Sequence, residues 1–331
     1  MIPKTMKAVQ ITGREKLEVR EVPVPELFDE KSILIKNDAV CICNLTDLHI
    51  FEGTHLYNGP VGVKLPFTLG HEICGTVIKK GSMVKDVEPG DRVTLRGWNC
   101  SGGFAEYTVA NIDYLKLPDS LSVEEGALLE MLTAAYLMVE QVLRIGDTVV
   151  MLGCGGAGSY ILKLLKAGGA TKIIVSEPHP EKREFALKHG AAYVIDPAKE
   201  DVLEKVKEYT GGLKCDVVID AAGVPETIRI MPALVRRKGK IGMFGVCTVP
   251  TVSDFYQIHE NATAVFSAGY NHDYTVYGHE KAMDLVTSGV IDLSDMITHR
   301  IGLGDIPAML QTIREGKENI RKVLVTPSEG A

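Results

Sequence analysis

The sequence predicts an α/β fold in which helices cover both faces of a parallel sheet. From residue 148 onward, short apolar strands alternate with helical patterns: the strand at 148–152 precedes a helix at 159–166, and the strand at 173–175 precedes a helix at 181–189. These strands have no polar face, which is typical of parallel strands buried on both sides. The preceding third is composed of short strands separated by Gly and Pro turns. We therefore expect two domains, as is usual for 331 residues.

The other elements follow from turn residues, caps and apolar runs. Residues 33–40 alternate partly between apolar and polar side chains, and Glu88–Asp91 is a turn that leads into the next strand. Ser122 and Glu125 have the spacing of a capping box, which predicts a helix over 127–143. The remaining predicted elements are a strand at 194–195, a helix at 201–209, a strand at 217–219, a helix at 228–235, and strands at 240–246 and 322–325.

Composition excludes several classes of protein. Hydrophobic residues make up 45% and charged residues 24%, which excludes a disordered or collagen-like chain. A net charge of −7 without a basic block argues against nucleic acid as the main partner. No apolar run approaches the roughly 18 residues that span a bilayer, and the N-terminus lacks the apolar segment of a signal peptide. With 7 cysteines in no regular spacing, we expect a cytoplasmic protein that has no membrane partner.

A glycine motif predicts a dinucleotide-binding site. Gly153, Gly155 and Gly158 match G-x-G-x-x-G between a predicted strand and a predicted helix. Such glycines allow a tight turn, close approach to a pyrophosphate and close packing of helix on strand. Glu177 lies 19 residues after Gly158, where its carboxylate would accept hydrogen bonds from an adenosine ribose. The alternative is a glycine-rich turn that binds no ligand.

A second set of residues has the chemistry of a metal site. Cys43, His71, Glu72 and Glu130 offer a thiolate, an imidazole and carboxylates, which suit zinc. These residues are far apart in sequence and would have to converge through the fold. On the sequence alone, Cys43 could equally be a small buried residue, Glu130 an exposed helix residue, and the His71–Glu72 pair the start of a strand.

Several motifs together identify a family. In chain order they are Met6–Val9, Thr46–His49, Gly70–Glu72, Pro89–Val93, Gly103–Tyr107, the glycine motif and Arg321–Val325. With these motifs the chain resembles the medium-chain dehydrogenase/reductase superfamily, and within it the zinc-dependent alcohol and polyol dehydrogenases of the sorbitol- or threonine-dehydrogenase type. The resemblance implies a split GroES-like β-barrel catalytic domain, at 1–121 and 270–331, and a doubly wound Rossmann domain at 122–269 that binds NAD.

The resemblance also implies metal ligands. Cys43 and His71 match two zinc ligands, Glu130 matches an acidic residue at the zinc, and Glu72 matches an acid that either ligates the metal or hydrogen-bonds its water. One residue is inserted between Cys43 and the Thr-Asp pair relative to the family pattern, so Cys41 remains an alternative ligand. The four-cysteine lobe of many members is absent, which predicts one zinc per chain.

Further roles are implied for residues near the metal and in the tail. Thr46 resembles the hydroxyl that contacts the substrate oxygen, and Asp47 resembles the carboxylate that orients the ligand histidine. His49 resembles the imidazole that passes the proton to solvent. Arg321 matches a tail arginine that binds the cofactor pyrophosphate in some members.

The sequence therefore predicts reversible oxidation of a secondary alcohol, or of one polyol hydroxyl, by NAD. Glu177 would repel the 2′-phosphate of NADP. Substrate contacts are predicted from 55–61, Trp98 and 270–274, and a homodimer or homotetramer is expected. Two alternatives remain: a zinc-free reductase of the same superfamily that acts on quinones or activated double bonds, and a non-enzymatic dinucleotide-binding redox sensor.

Overall fold

The chain divides into two compact units. The computed structural model describes residues 2–53, 65–97, 100–111, 114–267 and 272–328, and side chains within 263–275 are not described. The first unit comprises Met1–Met131, His279–Ser288 and Asp292–Ala331, and the second comprises Leu132–Gly278 and Gly289–Ile291. Within the described ranges, no helix is both long enough and apolar enough to cross a bilayer.

The described residues form the following strands and helices. In chain order the strands are β1 (Thr5–Gly13), β2 (Lys16–Pro23), β3 (Ser32–Ile42), β4 (Phe67–Thr68), β5 (Glu72–Lys80), β6 (Arg92–Leu95), β7 (Tyr107–Asn111), β8 (Tyr114–Lys116), β9 (Thr148–Leu152), β10 (Lys172–Ser176), β11 (Tyr193–Ile195), β12 (Cys215–Asp220), β13 (Val235–Met243), β14 (Ala262–Ser267), β15 (Ile297–Ile301) and β16 (Lys322–Val325). The α-helices are α1 (Thr46–Phe51), α2 (Val123–Val142), α3 (Gly156–Ala167), α4 (Pro180–Lys188), α5 (Val202–Thr210), α6 (Pro225–Leu234), α7 (Phe255–Asn261), α8 (His272–Thr287) and α9 (Ile306–Glu315), and Leu303–Asp305 forms one 3-10 turn.

The first unit is built on two mixed or antiparallel sheets. The larger sheet has the order β15-β16-β3-β5-β6-β8 with β7 also paired to β3, and the smaller has the order β2-β1-β4. Strand β3 is central because it pairs with β5, β7 and β16, and most of its 11 residues are buried. Its apolar side chains pack with those of β5, β6 and β16 into one core, which includes Ile35, Ile42, Ile73, Val93 and Val323.

The second unit contains the predicted doubly wound sheet. Its strands run parallel in the order β11-β10-β9-β12-β13-β14. The order therefore reverses between β9 and β12, and in open α/β sheets ligands bind at the carboxyl ends of the strands at such a switch point. The central strands are buried on both faces, as their continuous apolar sequences predict.

The predicted start of β13 was wrong. The strand begins at Val235, five residues before the predicted start at 240, and α6 ends at Leu234. The first residues of β13 include charged side chains, so they lack the apolar run from which the strand was predicted. Arg236 donates to Asp216 at 2.6 Å, and Lys238 has a positive φ of 63°. The pairing of this segment with β12 is also irregular, with a register shift between Cys215 and Val217.

Candidate active site

Three predicted metal ligands converge in the first unit. Ligand atoms of Cys43, His71 and Glu72 all lie within 4.8 Å of one another, and all three residues are buried. Strand β3 ends just before Cys43, and β5 starts at Glu72. Because Cys41 pairs with Glu72 across these antiparallel strands, the register places the end of β3 beside the start of β5. Among the residues that the structure describes, this is the one such group of three or more His, Cys, Asp or Glu side chains.

A glycine brings His71 into this group. Gly70 has a φ of +93°, and a Cβ atom there would lie 2.8 Å from the backbone nitrogen of Phe104. The amide of Gly103 donates to the carbonyl of Gly70 at 2.8 Å, and the amide of Phe104 donates to that of Leu69 at 2.8 Å. Only glycine fits this left-handed, closely packed position without strain.

Asp47 is fully buried and lies next to this group. Helix α1 begins at Thr46, and the amide of Cys43 donates to Asp47 Oδ2 at 2.9 Å. The other oxygen, Oδ1, lies 3.7 Å from Nδ1 of His71. Asp47 thus contacts one predicted ligand through its backbone and approaches the ring of another, as expected of a carboxylate that orients metal ligands.

The electrostatics of the group favour a cation. Burial lowers the pKa of His71, but the hydrogen bond and charge of Cys43, with the charges of Asp47 and Glu130, raise the pKa to about 10. Burial raises the pKa of Asp47 to about 6, against the opposing influence of the charge of His71. Acidic groups that stabilise a proton on a buried imidazole will also stabilise a divalent cation. The donor set of sulfur, nitrogen and oxygen suits zinc, so the residues present fit that metal.

Glu130 lies near this group but is not one of its three members. The side chain belongs to α2 and is 3% exposed, and its charge acts on His71. Of the two acids predicted near the metal, Glu72 is therefore in the group and Glu130 is close by. The alternative ligand Cys41 is fully buried on β3, and burial raises the pKa of its thiol.

Thr46 and His49 lie on α1, three residues apart. Both are half-buried, and residues at this spacing are neighbours on one side of a helix. The inserted residue after Cys43 is accommodated before this helix, since the amide of Asp47 donates to the carbonyl of Cys43 at 3.1 Å. The inserted residue therefore does not move Asp47, or the helix that it belongs to, away from Cys43.

Sequence reasoning missed Lys322. This residue opens β16, is 1% exposed, and its ammonium donates to both carboxylate oxygens of Glu72, to Oε2 at 2.6 Å. The only sequence signal is a lysine within an otherwise apolar strand. The neighbouring Arg321, predicted to bind the cofactor, donates through Nε and Nη2 to the carbonyl of Asp295, at 3.2 and 3.0 Å.

The glycine motif lies in the second unit, between β9 and α3. Gly153 has a φ of +96°, and a Cβ atom at Gly158 would lie 2.6 Å from the carbonyl oxygen of Gly153. A Cβ atom at Gly155 would have nothing within 4 Å. This geometry fits the predicted division among the three glycines: Gly153 forms the turn, Gly158 lets helix and strand pack closely, and Gly155 leaves open space at the start of α3, where a phosphate is predicted to bind.

Glu177 lies beside this motif, at the carboxyl end of β10. Its Oε2 accepts a hydrogen bond from the amide of Cys154 at 2.8 Å, and its Oε1 accepts one from the amide of His179 at 3.0 Å. The ring of His179 is 2.7 Å from the same Oε1. Arg183 donates to the carbonyl of Glu177 at 2.7 Å and pairs with Asp196 at 3.2 Å. This network fixes the carboxylate next to the glycine turn.

The predicted substrate contacts at 55–61, Trp98 and 270–271 lie outside the described residues, as do the side chains of 272–274. All 7 cysteines are free thiols.

Two family models match the chain. Residues 29–119 match the alcohol dehydrogenase GroES-like domain, and residues 156–287 match the zinc-binding dehydrogenase family. These matches confirm the GroES-like fold predicted for the N-terminal part.

Relatives and solved structures extend along nearly the whole chain. The sorbitol dehydrogenase of Bacillus subtilis is 29% identical, over 99% of each chain. The L-threonine 3-dehydrogenase of Pyrococcus abyssi is 31% identical, over 94% of this chain and 95% of that protein. A crystal structure of a candidate zinc-binding dehydrogenase from Sinorhizobium meliloti bound to NADP superimposes with a TM-score of 0.87 at 30% identity, over 98% of this chain and 100% of that one.

Proposed function

This chain belongs to the family of zinc-type medium-chain dehydrogenases, and we propose on that premise that it oxidises a secondary alcohol, or one hydroxyl of a polyol, reversibly with NAD. The buried group of Cys43, His71 and Glu72 carries the proposal, since its mixed donors suit a catalytic zinc. Zinc would supply Lewis acidity that lowers the pKa of a hydroxyl, and the nicotinamide would accept the hydride.

The residues of α1 would move the proton. In this mechanism the hydroxyl of Thr46 accepts the proton of the substrate alcohol, and His49 passes it to solvent. Both side chains are half-buried, so they have access to water without being freely mobile. Asp47 would hold Cys43 and His71 in place through its contacts at 2.9 and 3.7 Å.

The preference for NAD is proposed from Glu177. Glu177 is 4% exposed and its carboxylate is held by the amides of Cys154 and His179, so it cannot swing away from a ligand at the glycine turn. A 2′-phosphate there would meet a fixed negative charge. Arg183 is engaged with Asp196 and two backbone carbonyls, and it is therefore not positioned to neutralise that phosphate. We expect NAD to be preferred by roughly 100-fold.

The choice of a polyol or polar secondary alcohol is supported by the relatives. Sorbitol and L-threonine, after which two of them are named, both have a secondary hydroxyl on a carbon next to another carbon that bears a polar group. We further propose a homodimer or homotetramer. Among the described strands, β14 forms one edge of the parallel sheet, and an edge strand can pair with the same strand of a second copy.

One experiment tests the reaction class, the metal and the cofactor together. The zinc-loaded protein would be screened against polyols, sugar acids, amino alcohols and simple secondary alcohols, with NAD or NADP, by the absorbance of the reduced cofactor. Cys43→Ser serves as the metal-deficient control. Turnover with at least one secondary alcohol, lost in the control, supports the proposal. Equal or better turnover with NADP contradicts the cofactor assignment, and quinone reduction that persists in the control favours the zinc-free reductase.

A further inference from the structure

We propose that His179 is a specificity residue for the cofactor: its ring occupies one oxygen of Glu177, so that this carboxylate accepts a hydrogen bond from only one of the two adenosine ribose hydroxyls. That hydroxyl is the 2′-hydroxyl, which the acidic residue of a dinucleotide-binding fold bonds. The proposal rests on the proposed function, because it concerns the cofactor that the glycine turn would bind. Without the ring of His179, the carboxylate would accept from both hydroxyls.

Most of the hydrogen-bond acceptor sites of Glu177 are already occupied. Each oxygen of a carboxylate accepts about two hydrogen bonds. Oε1 accepts one from the amide of His179 at 3.0 Å, and it lies 2.7 Å from Nδ1 of the His179 ring. Because an ionised carboxylate has no hydrogen to donate, Nδ1 is the donor of this second bond. Oε1 is therefore fully occupied, whereas Oε2 accepts from a single donor among the described residues, the amide of Cys154 at 2.8 Å.

The backbone that bears these two side chains is fixed by prolines. Glu177 and His179 each precede a proline, Pro178 or Pro180, and a residue in that position is restricted to extended conformations. His179 accordingly has a φ of −88° and a ψ of 126°, directly before α4. Arg183 of the same helix donates to the carbonyls of Glu177 and Pro178, each at 2.7 Å. The ring of His179 is therefore attached to a backbone that holds it against Oε1.

Burial increases the importance of the one remaining acceptor site. The side chain of Glu177 is 5% exposed, so its oxygens depend on donors from the protein or from a ligand. The side chain of His179 is 42% exposed, so the ring covers one side of the carboxylate while it remains partly in contact with water. A ribose at the glycine turn therefore meets one carboxylate oxygen that can accept a further hydrogen bond and one that cannot.

Two roles of His179 predict different results when the ring is removed. If the ring only holds Glu177 in place, His179→Ala allows the carboxylate to move and weakens NAD binding. If the ring occupies an acceptor site, the substitution opens that site while the amide of residue 179 still bonds Oε1. The 3′-hydroxyl of the ribose then gains an acceptor. NAD should bind at least as tightly as before, and its binding should now depend on the 3′-hydroxyl.

The experiment measures, by calorimetry on the zinc-loaded protein, the Kd of NAD and of analogues that lack the 2′- or the 3′-hydroxyl of the adenosine ribose. In the wild type, loss of the 2′-hydroxyl should weaken binding by about 10- to 100-fold, and loss of the 3′-hydroxyl by at most about threefold. In His179→Ala the penalty for losing the 3′-hydroxyl should rise to about tenfold or more. His179→Asn keeps an N–H donor at the position of Nδ1 and should restore the wild-type pattern.

His189→Ala is the matched control. His189 is also half-buried, its Nδ1 lies 2.8 Å from the carbonyl oxygen of Phe185, and it lies at the opposite end of α4. This variant should leave the penalties for both analogues unchanged. The same 3′ penalty in wild type and His179→Ala, or weaker binding of NAD itself in His179→Ala, would overturn the role of His179. A wild-type protein that binds neither NAD nor NADP would overturn the proposed function itself.

Discussion

The metal group (Cys43, His71 and Glu72) and the nucleotide loop (the turn that contains Gly153, Gly155 and Gly158) differ in how far apart their residues lie in the sequence. The nucleotide loop is a local structure, since Gly153, Gly155 and Gly158 follow one strand and open one helix. The metal group is assembled from distant segments: Cys43 follows β3, His71 immediately precedes β5, and Glu72 begins β5, while Lys322, which pairs with Glu72, begins β16. The first kind of site is encoded by a short motif, whereas the second depends on strand register and therefore on the folding of a whole sheet.

The largest expected effect tests whether the two sites are independent. His71→Ala removes a buried donor from the metal group, so zinc content and turnover should fall together, with turnover decreasing by about 10,000-fold or more. NAD binding, measured by calorimetry, should remain, because the glycine loop belongs to the other unit.

Cys100→Ser is a suitable control for this comparison, because Cys100 is a half-buried cysteine of the same unit outside the metal group. Zinc-free protein that retains full turnover would show that the group has been assigned the wrong function. Loss of NAD binding in His71→Ala would show that the two sites are coupled.

The next effect concerns α1. Thr46→Val removes a hydroxyl at nearly constant volume and should lower kcat by about 100- to 10,000-fold while zinc content is unchanged. His49→Gln should have a smaller effect, since water can replace an outer proton relay. Steady-state kinetics with elemental analysis would measure both. Full activity of Thr46→Val would mean that the inserted residue after Cys43 has displaced the relay.

A smaller effect should come from the nucleotide loop. A methyl group at Gly155 meets nothing within 4 Å in the protein, so Gly155→Ala should leave the melting temperature nearly unchanged. The methyl group would nevertheless obstruct a pyrophosphate, and the KM for NAD should rise by about tenfold or more. Gly304→Ala, also with open space around the Cβ position, is the control. An unchanged KM for NAD would place the pyrophosphate elsewhere.

The smallest effect is on stability in acid, and it involves neither site. His279 is fully buried within 3.3 Å of Thr94, and burial, with the charge of Arg96, lowers its pKa from 6.5 to about 3. Between these values the unfolded chain binds more protons, so stability is lost as the pH falls from 6.5 toward 3. The slope from this residue is at most about 1.4 kcal/mol per pH unit.

His279→Gln should therefore flatten the dependence of the unfolding free energy on pH, measured by urea denaturation. His259→Gln changes an exposed histidine on α7 and should leave the slope as it is. An unchanged slope in His279→Gln would show that other groups account for the acid sensitivity.

The sequence by itself determined the features that depend on neighbours along the chain. Three such features each depend on the backbone conformation of residues close together in the sequence. They are the glycine motif, the alternation of strands and helices, and the pair His71–Glu72 directly after Gly70. Apolar runs likewise predicted the parallel sheet, because strands buried on both faces need no polar side. The resemblance to a family supplied the roles that local patterns do not show.

Only the tertiary structure decided which acids meet the thiol and the imidazole, and which cation faces them. Glu72 is a member of the group and Glu130 lies close by. Lys322, which is 250 residues from Glu72 in the sequence, pairs with it. Sequence separation carries no information about such a contact. A strand alternates its side chains in a fixed way, but the strand that becomes its neighbour, and the register in which the two pair, depend on how the whole sheet packs its core.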